Sequence, residues 1–110
     1  MPIYVTRGRY SPESIKNLVA KPEDRTASVK KLVEATGAKL LSFYVTLGRY
    51  DFLLITEAPS AKEASAFILG AASAGAVTDV ETSEAFTGAE AHQVFAAAGK
   101  AAGMYKLPGK

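Results

Sequence analysis

The chain contains no cysteine, which removes disulfides, thiolate zinc sites and iron–sulfur ligation together and fits a reducing compartment. Its single histidine, His92, has no second ligand beside it. Glu90 is two positions away and falls on a different helical face, Lys100 is too far along, and a lone histidine is a poor basis for a metal site. No apolar stretch approaches the ~20 residues that cross a bilayer. The start, Met1-Pro2-Ile3-Tyr4, lacks the basic and apolar regions of a secretory signal, so none is expected. Lysine and arginine are scattered and the formal charge is only +2, so the concentrated basic footprint that nucleic acid requires is missing. Also missing are a Ser-His-Asp order, a phosphate-binding glycine loop and a dinucleotide fingerprint. These absences predict a cytoplasmic protein with no cofactor, no metal, no membrane and no nucleic-acid partner.

What is present is one core's worth of chain. A length of 110 residues with 48% apolar and 22% charged suits one globular domain. The most informative stretch runs from Tyr44 to Asp51. Its first seven residues match Tyr4-Val5-Thr6-Arg7-Gly8-Arg9-Tyr10 at all positions but one, so the chain reads Y-V-T-x-G-R-Y twice.

In chain order, residues 2–8 read as a strand, with Ile3, Val5 and Arg7 on one face and Tyr4 and Thr6 on the other. Ser11-Pro12-Glu13 opens a helix through a cap, a proline at the first position and an acid in the first turn. Pro22 splits that helix, and a second half is expected from about Lys21-Pro22-Glu23-Asp24 to Gly37. Residues 38–47 read as strand two, Gly48-Arg49 as a two-residue hairpin turn, and strand three as following at once. Its run Phe52-Leu53-Leu54-Ile55 demands cover on both faces, because neighbouring strand residues point opposite ways. Ser60 caps the next helix with Glu63 at the capping-box position. That helix is expected to fray early in the small residues from Gly70 to Gly75. Residues 76–83 form an edge strand in which Val77 and Val80 carry the burial. A last, alanine-rich helix from Gly88 to about Gly103 precedes a mobile Leu107-Pro108-Gly109-Lys110 tail. With so little side chain to pack, this helix is either half-ordered or pressed against a partner.

Strand, helix, strand, strand, helix, strand is the order of the ferredoxin-like arrangement, with sheet order 4-1-3-2 and strands one and three central. Residues 1–86 form that unit, and 87–110 the added helix and tail. Strands one and two then run parallel and end on one rim, which brings both copies of the repeated motif together beside the first helix's N-terminus. The pseudo-symmetry of the fold would relate strands one and three, so the copies are better read as two strand ends meeting one requirement than as a duplication.

These residues resemble the GYD family of small bacterial proteins. Gly48, Tyr50 and Asp51 stand at its signature, with Arg49 between the first two. The opening Tyr4–Tyr10, the Lys21-Pro22-Glu23-Asp24-Arg25 break, the Phe52–Ile55 strand and the Glu57-Ala58-Pro59 ending also match, from Ile3 to about Phe86. The resemblance implies a dimeric α+β barrel, in which two sheets pack face to face and cover the second side of strand three. It implies no established activity.

Two groups on the rim are candidate ligand-binding residues. Arg7, Arg9 and Arg49 could hold a carboxylate or phosphate; alternatively Arg49 is a solvated turn residue, and Arg7 or Arg9 pairs with Asp51, Glu84 or a partner's acid. Tyr10, Tyr44, Tyr50 and Asp51 could orient a small cyclic compound, with Asp51 as a base. Alternatively the tyrosines are core or interface aromatics, and Asp51 bonds nearby backbone amides. His92 is expected at the surface or an interface. Binding or sensing of a small anionic or aromatic molecule by a homodimer or larger homo-oligomer leads. Cofactor-independent monooxygenase- or isomerase-like chemistry is the alternative, and a purely structural oligomer the third reading.

Overall fold

A computed structural model describes residues 1–109. Its elements are β1 (Ile3–Tyr10), α1 (Pro12–Ala20), α2 (Thr26–Ala35), β2 (Lys39–Val45), β3 (Phe52–Glu57), α3 (Ala61–Ser73), β4 (Val77–Ala85) and α4 (Gly88–Met104). The four strands form one antiparallel sheet in the order β2-β3-β1-β4, the ferredoxin-like order with β1 and β3 at the centre. Lys110, the last residue of the expected mobile tail, lies outside the described residues.

Alternation along the central strands assigns the two faces. Phe52, Leu54 and Thr56 of β3 are buried while Leu53, Ile55 and Glu57 are only half-buried. Tyr4, Thr6 and Gly8 of β1 lie opposite Thr56, Leu54 and Phe52 and share the inner face. Against it pack Val33 of α2 and Ala64, Phe67 and Ile68 of α3. The outer face carries Ile3, Val5 and Arg7 beside Glu57, Ile55 and Leu53, and no residue of α4 is buried over it.

Val77 and Val80 are three apart in β4, a spacing that a regular strand splits between faces, yet both belong to the core region. A bulge explains this. Arg7 pairs with Glu81 and Arg9 with Thr78, so Asp79 and Val80 together oppose Gly8. Asp79 takes the positive φ of 51° that the irregularity needs, a region aspartate tolerates better than most residues. Gly8 is glycine for a steric reason, since a Cβ there would lie 2.9 Å from both Phe52 Cζ and Val80 Cγ1.

Three boundaries depart from the sequence reading. The second helical half begins at Thr26, not at Pro22. Residues 21–25 form a separate connection because Asp24 accepts hydrogen bonds from the Thr26 N–H at 2.9 Å and its hydroxyl at 2.7 Å, capping α2 from there. These bonds hold the Asp24 carboxyl below its usual pKa. Gly48-Arg49 is not a two-residue turn. The last strand pair is Val45 with Phe52, and a Thr46 N–H to Asp51 carbonyl bond of 2.8 Å closes a four-residue loop. Finally, α3 does not fray at Gly70 but continues to Ser73, with Ala71 and Ala72 packed against the core. Alanine is the best helix former, and the packing of Ala71 and Ala72 offsets the cost of Gly70.

Ser11 caps α1 by accepting from Ser14 N–H, with Pro12 in its first turn. Ser60 caps α3 and its hydroxyl meets the Glu63 carboxylate. α4 carries a full capping box between Thr87 and Glu90, an S/T-x-x-E pattern that the sequence reading passes over. Among the described residues, no helix is long and apolar enough to cross a membrane.

Candidate functional site

The rim where β1 ends is assembled by Asp51. Its N–H donates to the Gly8 carbonyl at 2.8 Å, and its carboxylate accepts from the Tyr10 N–H at 2.9 Å. Thr46 holds the same loop from the other side, its hydroxyl donating to the Tyr50 carbonyl at 2.7 Å. Gly48 supplies a positive φ of 121°, which glycine adopts without a Cβ penalty. The loop is thereby drawn onto β1 instead of extending the hairpin ladder. Asp51 thus acts as the backbone acceptor that aspartates near turns often become.

This docking divides the expected site residues between two sides of the sheet. On the outer side, the guanidinium carbons of Arg7 and Arg49 lie 5.9 and 5.5 Å from the Tyr50 ring centroid, within cation–π range. The Tyr50 hydroxyl donates to the Glu81 carboxylate. That bond, aided by desolvation, raises the phenol's pKa against the pull of the two arginines. Tyr44 pairs with Leu53 on the same side and is exposed, as is Arg9. Neither Arg7 nor Arg9 pairs with an acid, since the ion pair among the described residues joins Arg25 and Glu23.

On the inner side, Tyr10 is half-buried and its ring lies 5.3 Å from that of Phe52, tilted by 46°. Burial raises its pKa, the nearby Arg25 charge opposes the rise, and Asp51 adds to it. Tyr10 and Arg25 both line a cavity of about 90 Å³ between the helices and the sheet. The interior is apolar, lined chiefly by Val29, Leu32, Phe43, Phe52 and Phe67. Outside it is a vestibule of about 380 Å³ that shares Tyr10, Arg25 and Phe43 and adds Ile15, Leu18 and Asp51. A neighbouring groove of about 330 Å³ along α1 again includes Tyr10 and Arg25. Arg25 is steadied by Glu23, with Nη1 to Oε1 at 2.9 Å.

Of the seven expected ligand residues, Tyr10 alone lines the inner cavity, and Asp51 reaches the vestibule. Sequence reasoning does not find Arg25 as a site residue. Its one signal is its place in the Lys21–Arg25 break, where a polar residue at a helix entrance reads as solvated. Asp51, Tyr50 and His92, the groups that ring chemistry would require, do not line the inner cavity, and His92 is exposed on α4. Among the described residues no group of three or more His, Asp or Glu is placed to hold a metal ion.

Each signature residue therefore has a distinct role in the loop. Gly48 turns the chain, Tyr50 sits between two arginines, and Asp51 joins the loop to β1. The family model for the GYD domain matches residues 4–95. This chain belongs to the GYD domain family. No curated protein matches it. Among solved structures, the GYD chain is similar to one described as the crystal structure of FFRP-DM1, at 19% identity, 78% coverage of this chain, 100% of that one, and a TM-score of 0.47. It is also similar to the hypothetical protein PHS023 from Pyrococcus horikoshii, at 18% identity, with 79% and 92% of the two chains covered and a TM-score of 0.46.

Proposed function

We propose that this GYD protein binds a small, flat, largely apolar molecule with one polar head, such as a phenol or an aromatic carboxylate, and does so as a homodimer. One observation carries the reading: the apolar cavity between helices and sheet has Tyr10 and Arg25 in its lining, and both also line the two neighbouring grooves. A ring enters among Phe43, Phe52 and Phe67. Its head remains within the reach of a phenol hydroxyl and a guanidinium, which matches the usual design of an apolar pocket with a few convergent polar groups. Homodimer formation is supported by the outer sheet face, where Val5, Leu53 and Ile55 are only half-buried and a second copy supplies the missing cover. Arg7, Arg9, Tyr44, Arg49 and Tyr50, on or beside that face, would then lie near the subunit contact.

Thermal unfolding with phenol and benzoate as probes tests the binding reading. A ligand at about 100 times its Kd stabilises by about 2.7 kcal/mol, a shift of many degrees for a domain of this size. The wild type should show this rise, and Arg25→Ala and the cavity-filling Ala71→Val should lose most of it. An Arg7→Ala, Arg49→Ala double variant should keep it. No rise in the wild type sinks the reading, and loss confined to the double variant moves the ligand to the outer side.

A further inference from the structure

Helix α1 turns a largely polar stripe toward the body of the molecule. Ser14, Asn17, Leu18 and Lys21 are spaced along one helical face, and all four line the groove of about 330 Å³ beside α1. The apolar Ile15 and Val19 are exposed instead, at 42% and 76%. Burial of apolar surface alone would favour the reverse orientation. The stripe is anchored at its start, where the Ser11 N–H and the Ser14 hydroxyl both donate to the Ala76 carbonyl, at 3.0 and 2.9 Å. A polar wall held in this way is organised before a ligand arrives.

The groove shares Tyr10, Arg25 and Ala76 with the inner cavity, and the vestibule shares Tyr10, Arg25 and Phe43 with it. The cavity alone, at about 90 Å³, falls short of the ~300–1,000 Å³ of ordinary small-molecule sites. A ligand with its ring inside therefore has the rest of its bulk outside, in one of two directions.

Charge separates the two. The groove is lined by Lys21 and Arg25 against Glu23, an excess of one positive charge. The vestibule is lined by Glu23, Asp24 and Asp51 against Arg25, an excess of two negative charges. Asp24 and Asp51 are fixed there by the Thr26 and Tyr10 N–H groups, each donating at 2.9 Å. Glu23 meets only Nη1 of Arg25, which leaves other donors of the guanidinium fork for a ligand. Among the described residues Lys21 has no ion-pair partner. An anionic group is thus attracted along α1 and repelled from the vestibule.

We propose that the α1 groove is a second subsite, for an acidic chain carried by the ring: the ligand is an aryl-alkanoic acid whose ring occupies the inner cavity and whose carboxylate lies along α1 between Arg25 and Lys21, with Asn17 beside it. This rests on the ring-binding reading above and names the charge and the direction of the rest of the ligand.

Calorimetric titration with three probes of equal length tests it: 3-phenylpropionate, the neutral 3-phenylpropanol and the cationic 3-phenylpropylamine. The wild type should bind the acid at least about tenfold more tightly than the alcohol, the scale of one hydrogen bond to a charged group, and the amine most weakly. Lys21→Glu should abolish the preference for the acid over the alcohol. Lys16→Glu makes the same charge change at an exposed position of α1 outside the groove, and should keep the preference within about twofold, because solvent and salt screen it. The cavity-filling Ala71→Val should weaken all three probes. Equal binding of acid and alcohol, a preference that survives Lys21→Glu, or one lost equally in both charge variants overturns the proposal and leaves the ring-binding reading in place. Tightest binding of the amine also overturns it, and puts the chain in the vestibule. Binding of none of the probes, or binding indifferent to Ala71→Val, overturns both.

Discussion

Phe67→Ala is expected to lower the stability of the chain by about 3–5 kcal/mol, the usual cost of deleting a fully buried phenylalanine ring. The ring is 1% exposed and stands first among the largest fully buried side chains. It joins α3 to the inner sheet face and also forms a wall of the cavity. Truncation therefore enlarges a space that is already partly empty, and the surroundings have little left with which to collapse into it. A domain with about 5–15 kcal/mol in total would lose a large fraction of its stability. Urea unfolding at fixed protein concentration should show a lower midpoint with an unchanged slope. A loss below about 1 kcal/mol would mean that α3 repacks against the sheet, contrary to the packing described.

Thr56→Val should have the opposite sign. Thr56 is 0% exposed, and among the described residues its Oγ1 has no hydrogen-bond partner in the protein. It lies on the inner face between Tyr4 and Leu40, where neither neighbour's cross-strand side chain meets it with a hydrogen bond. A buried unpaired hydroxyl carries a desolvation penalty of about 1–3 kcal/mol, and valine has nearly the same shape without it. β-branching at position 56 is retained, so strand propensity is not sacrificed. The variant should unfold at higher urea than the wild type by that order. Destabilisation would show that the hydroxyl is satisfied in solution. Thr6 makes the contrast, because it is equally buried but its hydroxyl meets that of Thr82 at 2.9 Å.

Much of this fold is legible because it is written in local chemistry. Ser11-Pro12-Glu13 announces a helix start without reference to anything distant, and Phe52–Ile55 announces a central strand through its unbroken apolar run. What stays hidden depends on contacts between distant residues. The four-residue loop at 47–50 is set by Asp51 bonding to β1, not by Gly48 alone. Val77 and Val80 share a side only because Asp79 bulges opposite Gly8. Arg25 reaches the cavity because the break after α1 delivers the start of α2 to the end of β1, a juxtaposition that no spacing in the sequence encodes. The rim itself can be located from the order of elements, but not its division into two sides, since that requires knowing which face of the sheet the helices cover.

The Tyr50–Glu81 bond has a consequence for how the sheet opens. Tyr50 belongs to the loop between β2 and β3, and Glu81 to the edge strand β4, so this hydroxyl spans the width of β1 and couples two segments on either side of it. An edge strand ordinarily opens as its own low-energy unit. Here β4 cannot peel away without releasing a ring that two arginines also hold. Amide exchange in Thr78–Ser83 and in Thr46–Asp51 should therefore share one opening reaction, and Tyr50→Phe should separate them.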